Sequence, residues 1–320
     1  MKFTAALVGA AAVFGVTAAQ SSSNQTLCAK YASALFNVSN STTQQTLLTA
    51  LVNTAVIGNY SAGAMNAVTG IVNPGRTTSG EEVNLLGYFN GSLVSTNRNG
   101  QAVAINFLDD GGATPLKENK PCSSGDNSKN QCKLLNHLYQ YFGALLGCDA
   151  EGFPSYAGST SQSAVHRYMN LDTNEVTYFI EQVGAAAASF GVSSEDITTV
   201  ATTLGNVFNV RCAPAAKVPS TAETAYSQSI CVASDCPLAE NSDCSATSDM
   251  SFPNGTNGVE PQRASASTSS SMSGGSSTTR SGSAPTGSTT TRPDGASMLT
   301  AVNAFGALAL GAAGLVAISL

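Results

Sequence analysis

Apolar residues recur at helical spacing along several stretches of the chain. Leu47, Leu48, Leu51, Val52, Ala55 and Val56 form one side of a helix. It should open at Ser41-Thr42-Thr43-Gln44, with Ser41 as the cap and Gln44 reaching back. Asn73-Pro74-Gly75 marks a turn, and Glu82 to Phe89 reads as a short helical piece ending at Asn90-Gly91. A longer apolar helical run extends from Leu134 to Gly147. The turn-rich stretch Cys148 to Ser163 follows, and then a short helix ending in Val165-His166. Asp172-Thr173-Asn174-Glu175 is a second capping box. It opens a helix with Val176, Phe179, Ile180, Val183, Ala187 and Phe190 on its inner side and Gly191 at its end. Ser193-Ser194-Glu195-Asp196 starts the last helix, which places Ile197, Val200, Ala201, Leu204, Val207 and Phe208 inside. No alternating run of comparable length occurs, so the pattern predicts an all-α domain over residues 27–215.

Between Thr96 and Asn130 the chain is turn-rich and reads as a loop insertion. Its Asp109-Asp110-Gly111-Gly112 lacks the alternating oxygen ligands of a Ca²⁺ loop and is read as a plain turn. The two ends of the chain have different patterns. Lys2 precedes the apolar run Ala5 to Val16 and the small residues Thr17-Ala18-Ala19, which predicts a secretory signal peptide over residues 1–19. Residues 216–250 read as a cysteine-containing linker. Residues 251–295 form a Ser/Thr/Gly-rich stalk with too little apolar surface to offset its ordering entropy. Residues 296–320 end in the apolar tail Ala304 to Leu320, at the lower limit of a membrane span. With small residues upstream, the tail matches a GPI-anchor signal that is removed, with attachment at Asp294 or Gly295, or nearer Gly287. The expected location is the cell surface, at the plasma membrane or in the wall, held through a GPI lipid.

Composition changes the picture in three ways. A net charge of −6 with no basic cluster argues against nucleic acid as a partner. Secretion makes the eight cysteines a disulfide inventory. Cys122 and Cys132 can close the inserted loop, and Cys148 and Cys212 can be stapled. Cys28, Cys231, Cys236 and Cys244 remain, the Cys231-x4-Cys236 spacing reading as a disulfide knot rather than a zinc site. Secretion also makes the sequons at Asn24, Asn37, Asn40, Asn59, Asn90 and Asn254 candidate glycan sites, expected to be exposed.

The chain has two histidines, His137 and His166. His166 follows Tyr141-Phe142-Gly143-Ala144-Leu145-Leu146-Gly147 and Tyr156-Ala157-Gly158, and precedes the two capped helices. Further upstream stands Leu85-Leu86-Gly87-Tyr88-Phe89-Asn90-Gly91. In this order the residues resemble the truncated haemoglobins: a Phe-rich helix ending in glycine, a Tyr-x-Gly turn and a proximal histidine. The resemblance covers Leu134 to Leu204 well and Thr42 to Gly91 loosely.

That resemblance implies a globin-like helical sandwich holding haem between the helices of His137 and His166, with His166 as the axial iron ligand. A neutral imidazole and apolar walls are what such a site needs. It implies Phe89, Tyr141, Phe142, Val165, Met169, Phe179, Val183 and Ile197 as candidate walls. Asn53 stands at the position where the family commonly has a distal tyrosine, and Leu138 where it often has a glutamine. His137 lies one position before Leu138, where a small helix rotation would bring it over the iron as a second ligand. The expected partners are therefore haem and a diatomic gas. The alternative is a haem-free, GPI-anchored structural or adhesive glycoprotein with the same helical fold. A hydrolase is disfavoured, since the chain has no Gly-x-Ser-x-Gly elbow.

Overall fold

In the computed structural model the described residues are 25–59, 67–218, 220 and 222–244. The expected signal peptide, Asn24, Asn254, the stalk and the anchor signal with Asp294 and Gly295 lie outside them. The chain runs through α1 (Leu27–Phe36), α2 (Ser41–Ile57), β1 (Gly75–Arg76), β2 (Glu82–Val83), α3 (Leu86–Asn90), β3 (Thr96–Arg98), β4 (Gln101–Val103), α4 (Ala113–Lys117), α5 (Asn130–Leu146), α6 (Gln162–His166), α7 (Thr173–Ser189) and α8 (Ser194–Phe208). The fold is mostly helical, as the periodicity predicts. The two antiparallel strand pairs β1–β2 and β3–β4 are small additions on its loops.

Helix α2 runs through the core and packs against α1, α4, α5 and α7. From Leu47 to Val56 nearly every side chain is buried, so its polar residues need internal partners. Asn53 donates from Nδ2 to the Leu116 carbonyl (3.2 Å) and accepts at Oδ1 from Tyr139 OH (2.6 Å). Gln44 accepts from Ala150 N–H (3.1 Å) and donates to Ser39 Oγ (3.1 Å). The cap of this helix is therefore not the expected one. Asn40 caps it: its Oδ1 accepts from Thr43 N–H and Thr43 Oγ1 accepts from Asn40 N–H, both at 3.0 Å. Thr43 takes the reciprocal role at the third helical position and leaves Gln44 free for the interior.

The structure corrects several other expectations. Glu82 and Val83 are extended and pair with Arg76 and Gly75, so the helix expected from Glu82 starts only at Leu86. The insertion contains a hairpin whose turn is Asn99-Gly100, both at positive φ (53° and 80°), the twist a two-residue hairpin loop requires. Helix α7 ends in a Schellman motif at Phe190 with Gly191 at φ +79°. Val192 N–H bonds to the Ala187 carbonyl (3.1 Å) and Gly191 N–H to Ala188 (3.0 Å). Among the sequons, Asn37, Asn40 and Asn90 are exposed as expected, but Asn59 is half-buried, with its Oδ1 accepting from Val68 N–H.

Residues 216–244 do not behave as a linker. Ile230 and Cys231 donate their N–H groups to the Phe208 carbonyl, and Val232 and Ala233 donate theirs to Leu171. Val218, Gln228, Ile230, Cys231 and Cys236 are buried, so the packed body extends to Cys244. The disulfides are Cys28–Cys148, Cys122–Cys132, Cys212–Cys244 and Cys231–Cys236. Cys148 is thus stapled to α1 rather than to Cys212, because the end of α5 returns beside Cys28 (Cα–Cα 5.0 Å). The acidic turn serves a helix: Asp109 accepts from Asn130 and Gln131 N–H at the start of α5 (3.1 and 2.8 Å). Asp110 lies near Cys122 and Cys132, but both sulfurs are spent in a disulfide.

Helix α1, not expected from the sequence, is tied to α8 through Asp196. The Asp196 carboxylate accepts from Lys30 Nζ (2.7 Å) and Tyr31 OH (2.5 Å). Burial alone would raise its pKa; the hydrogen bonds from Lys30, Tyr31 and Ser193 outweigh it and hold the carboxyl below the usual range. A lowered native pKa means stability that is complete above about pH 4 and lost as pH falls through the native value. Asp196→Asn is expected to remove that part of the acid dependence, read as a flatter thermal midpoint between about pH 5 and 2.

Candidate functional site

Helix α5 presents Leu134, His137, Leu138, Tyr141, Phe142 and Leu145 along one side, and that side faces a cavity of about 260 Å³. Opposite stand Val165 and His166 from α6 with Met169 just beyond it, and Val176 and Phe179 from α7. Tyr88 and Phe89 of α3 and Ile230 of the C-terminal segment complete the apolar wall. The volume lies just below the range of small-molecule sites, roughly 300–1,000 Å³, and the cavity opens to solvent. No lysine or arginine lines it.

His166 owes its orientation to the short helix that carries it. Ser161 Oγ caps α6 by accepting from Ala164 N–H (3.3 Å). Four residues after Gln162, the His166 ring reaches back so that Nδ1 lies 2.9 Å from the Gln162 carbonyl oxygen. A carbonyl only accepts, so Nδ1 carries the proton and Nε2 keeps its lone pair. Burial lowers the pKa of this ring, outweighing the opposite pull of the carbonyl, and the neutral form is held at pH 7.

His137 is half-buried on α5, with its ring 6.0 Å from that of Tyr156 in an edge-on arrangement. Burial and then the Lys133 charge lower its pKa, so it too is neutral. Neither ring nitrogen has a hydrogen-bond partner among the described residues. Tyr156 is fixed in turn: its hydroxyl donates to the Ser159 carbonyl (2.8 Å) and accepts from Gln162 Nε2 (3.1 Å). Gln162 therefore holds His166 through its carbonyl and Tyr156 through its side chain.

The cavity gathers most of the residues singled out in the sequence: His137, His166, Phe89, Leu138, Tyr141, Phe142, Val165, Met169 and Phe179. Three fall elsewhere. Asn53 is fully buried and spent on Leu116 and Tyr139. Val183 and Ile197 line a separate apolar gap of about 40 Å³ with Leu51 and Leu146. Tyr156, Gln162, Glu175 and Ile230 line the cavity without having been expected there. Glu175 also serves the cap of α7, accepting from Asp172 N–H (3.1 Å), and its other oxygen accepts from Tyr88 OH (3.3 Å). Only Gln162 had a usable sequence signal, since the residue four before a helical histidine offers it a carbonyl.

The arrangement presents one imidazole, with Nε2 left unprotonated, at the wall of a largely apolar cavity. An imidazole whose Nδ1–H is held by a backbone carbonyl has the outer-shell support that metal-ligating histidines usually have. Aromatic and aliphatic walls exclude water, and the opening leaves room for charged groups, which could not be buried here unpaired. No protein family, no curated protein and no solved structure matches the chain.

Proposed function

We propose that the chain is a haem-binding protein of truncated-haemoglobin type, displayed outside the cell, with His166 as the axial iron ligand. The observation that carries this reading is the His166 ring itself. Its Nδ1–H is held by the Gln162 carbonyl, and it lines an apolar cavity with Phe89, Phe142 and Met169. The order of elements adds support: α5 ends at Gly147, Tyr156-Ala157-Gly158 follows, and His166 closes α6 before two capped helices. Four disulfides favour an oxidising compartment. Among the described residues no helix is long and apolar enough to cross a membrane, and attachment at the surface would fall to the proposed GPI lipid.

When bound, haem supplies an iron that accepts axial nitrogen ligands and small diatomic gases. The chain's own contribution is separate. His166 offers the lone pair, the Gln162 carbonyl fixes its tautomer, and Phe89, Phe142, Met169 and Phe179 keep water from the ring faces. The open side of the cavity is where propionates would meet solvent, since no cation lines the interior. Titrating the full chain with haemin is expected to give a Soret band that saturates at one haemin per chain and survives gel filtration. Absence of any Soret band would overturn the reading and leave the haem-free surface glycoprotein.

A further inference from the structure

We infer that Asn97 is a positioning residue: it fixes helix α6 and, through it, sets how closely the His166 ring approaches bound haem. The inference rests on the haem reading above and concerns the same site. A helix of five residues is too short to hold itself, so α6 depends on what it packs against. Its main packing partner among the elements is strand β3, not one of the long helices. The hairpin β3–β4 belongs to the insertion and lies outside both stretches that resemble the truncated haemoglobins. Ser95, just before it, and Thr96, its first residue, line the same cavity as His166.

Two hydrogen bonds from the hairpin bracket the histidine. The last carbonyls of a helix have no partner inside it. That of Ala164, two residues before His166, accepts from Asn97 Nδ2 (3.0 Å). Two residues after His166, the buried Tyr168 donates its hydroxyl to the Gly100 carbonyl in the hairpin turn (2.7 Å). Asn97 joins the two contacts, because its Oδ1 accepts from Gly100 N–H (2.8 Å). Its amide thus accepts from the turn and donates to the helix; reversed, it would set oxygen against oxygen and N–H against N–H. An aspartate could fill only the accepting half. The start of α6 is held from another side, where Ser163 N–H bonds to the Ser227 carbonyl (3.3 Å). Its end, where His166 stands, is left to the hairpin. Gln162 therefore sets the rotation of the ring, and Asn97 sets where the helix beneath it stands.

The test compares Asn97→Asp with Arg98→Ala in the full chain. Both make the net charge more negative by one, but Arg98 is exposed and its side chain bonds to Asn130 (3.5 Å). Before haemin is added, the Met169 N–H, which bonds to the His166 carbonyl, is followed by hydrogen exchange. It should exchange roughly 2–10-fold faster in Asn97→Asp, the range that one net hydrogen bond gives. With haemin bound, Asn97→Asp is expected to lower haem affinity by about tenfold. It should also raise the midpoint potential of the bound haem, since a loosely held imidazole stabilises ferric iron less. Tyr168→Phe keeps the packing, loses the hydroxyl and should move all three readouts the same way. Arg98→Ala should move none of them. A merely structural contribution would lower the thermal midpoint and leave the potential where it was. Affinity and potential unchanged in Asn97→Asp and Tyr168→Phe overturn this inference while leaving haem binding intact. If Asn97→Asp does not fold, Tyr168→Phe decides alone. Failure of the unsubstituted chain to take up haemin overturns both.

Discussion

Replacing His166 by alanine is expected to lower haem affinity by more than about 100-fold, abolishing the Soret band at micromolar protein. Loss of outer-shell partners alone typically costs 10–100-fold, and the ligand itself costs more. The fold should survive, because the ring faces a cavity and α6 keeps its Ser161 cap. The same ring sets a pH signature in the haem-free protein. Its native pKa lies below the ordinary histidine value, so below about pH 6.5 the unfolded chain binds a proton that the native ring refuses. Stability therefore falls as pH drops through that window, and His166→Ala should lose this component. Haem affinity, in turn, should be flat near neutrality and fall only once the native ring protonates. A His166→Ala chain that still showed a Soret band through gel filtration would remove His166 from the site.

The largest effect on stability is expected from the bond between Cys28 and Cys148. It joins α1 to the end of α5 across a sequence separation of 120. The chain-entropy relation gives about 5 kcal/mol for a loop of that size and about 3 kcal/mol for the Cys122–Cys132 loop, whose separation is 10. For a body of this size the first corresponds to a drop of roughly 10–20 °C in the thermal midpoint. The paired serine variants, Cys28→Ser with Cys148→Ser against Cys122→Ser with Cys132→Ser, should differ in that order in calorimetry. Equal losses would show that loop entropy is not what these bonds contribute.

How far the sequence could be read follows from what each element depends on. Helices α2, α5, α7 and α8 were legible because their apolar positions repeat and Asp172 and Ser193 mark clear starts. Helix α1 was not, since Leu27, Cys28, Tyr31 and Ala32 make too short a stripe to stand out. The hairpin at Asn99-Gly100 carried a signal that the surrounding polar residues obscured. His166 and the aromatic residues singled out with it line one cavity, but the sequence names them only through a resemblance. Asn53 was expected there from the register of the resemblance alone; it lies inside the packing of α2 and is spent on Leu116 and Tyr139. Ile230 had no signal at all, because an extended segment becomes part of a wall only through backbone bonds to Phe208 and Leu171.

The segment that supplies Ile230 also decides where the molecule can be cut. A fragment ending near Cys212 would strip one side from the cavity and expose the buried faces of Phe208 and Leu171. It would leave Cys212 without Cys244, a lone thiol able to cross-link neighbouring copies. The smallest piece worth expressing therefore runs through Cys244, and a shorter one that failed to take up pigment would say nothing about the intact protein.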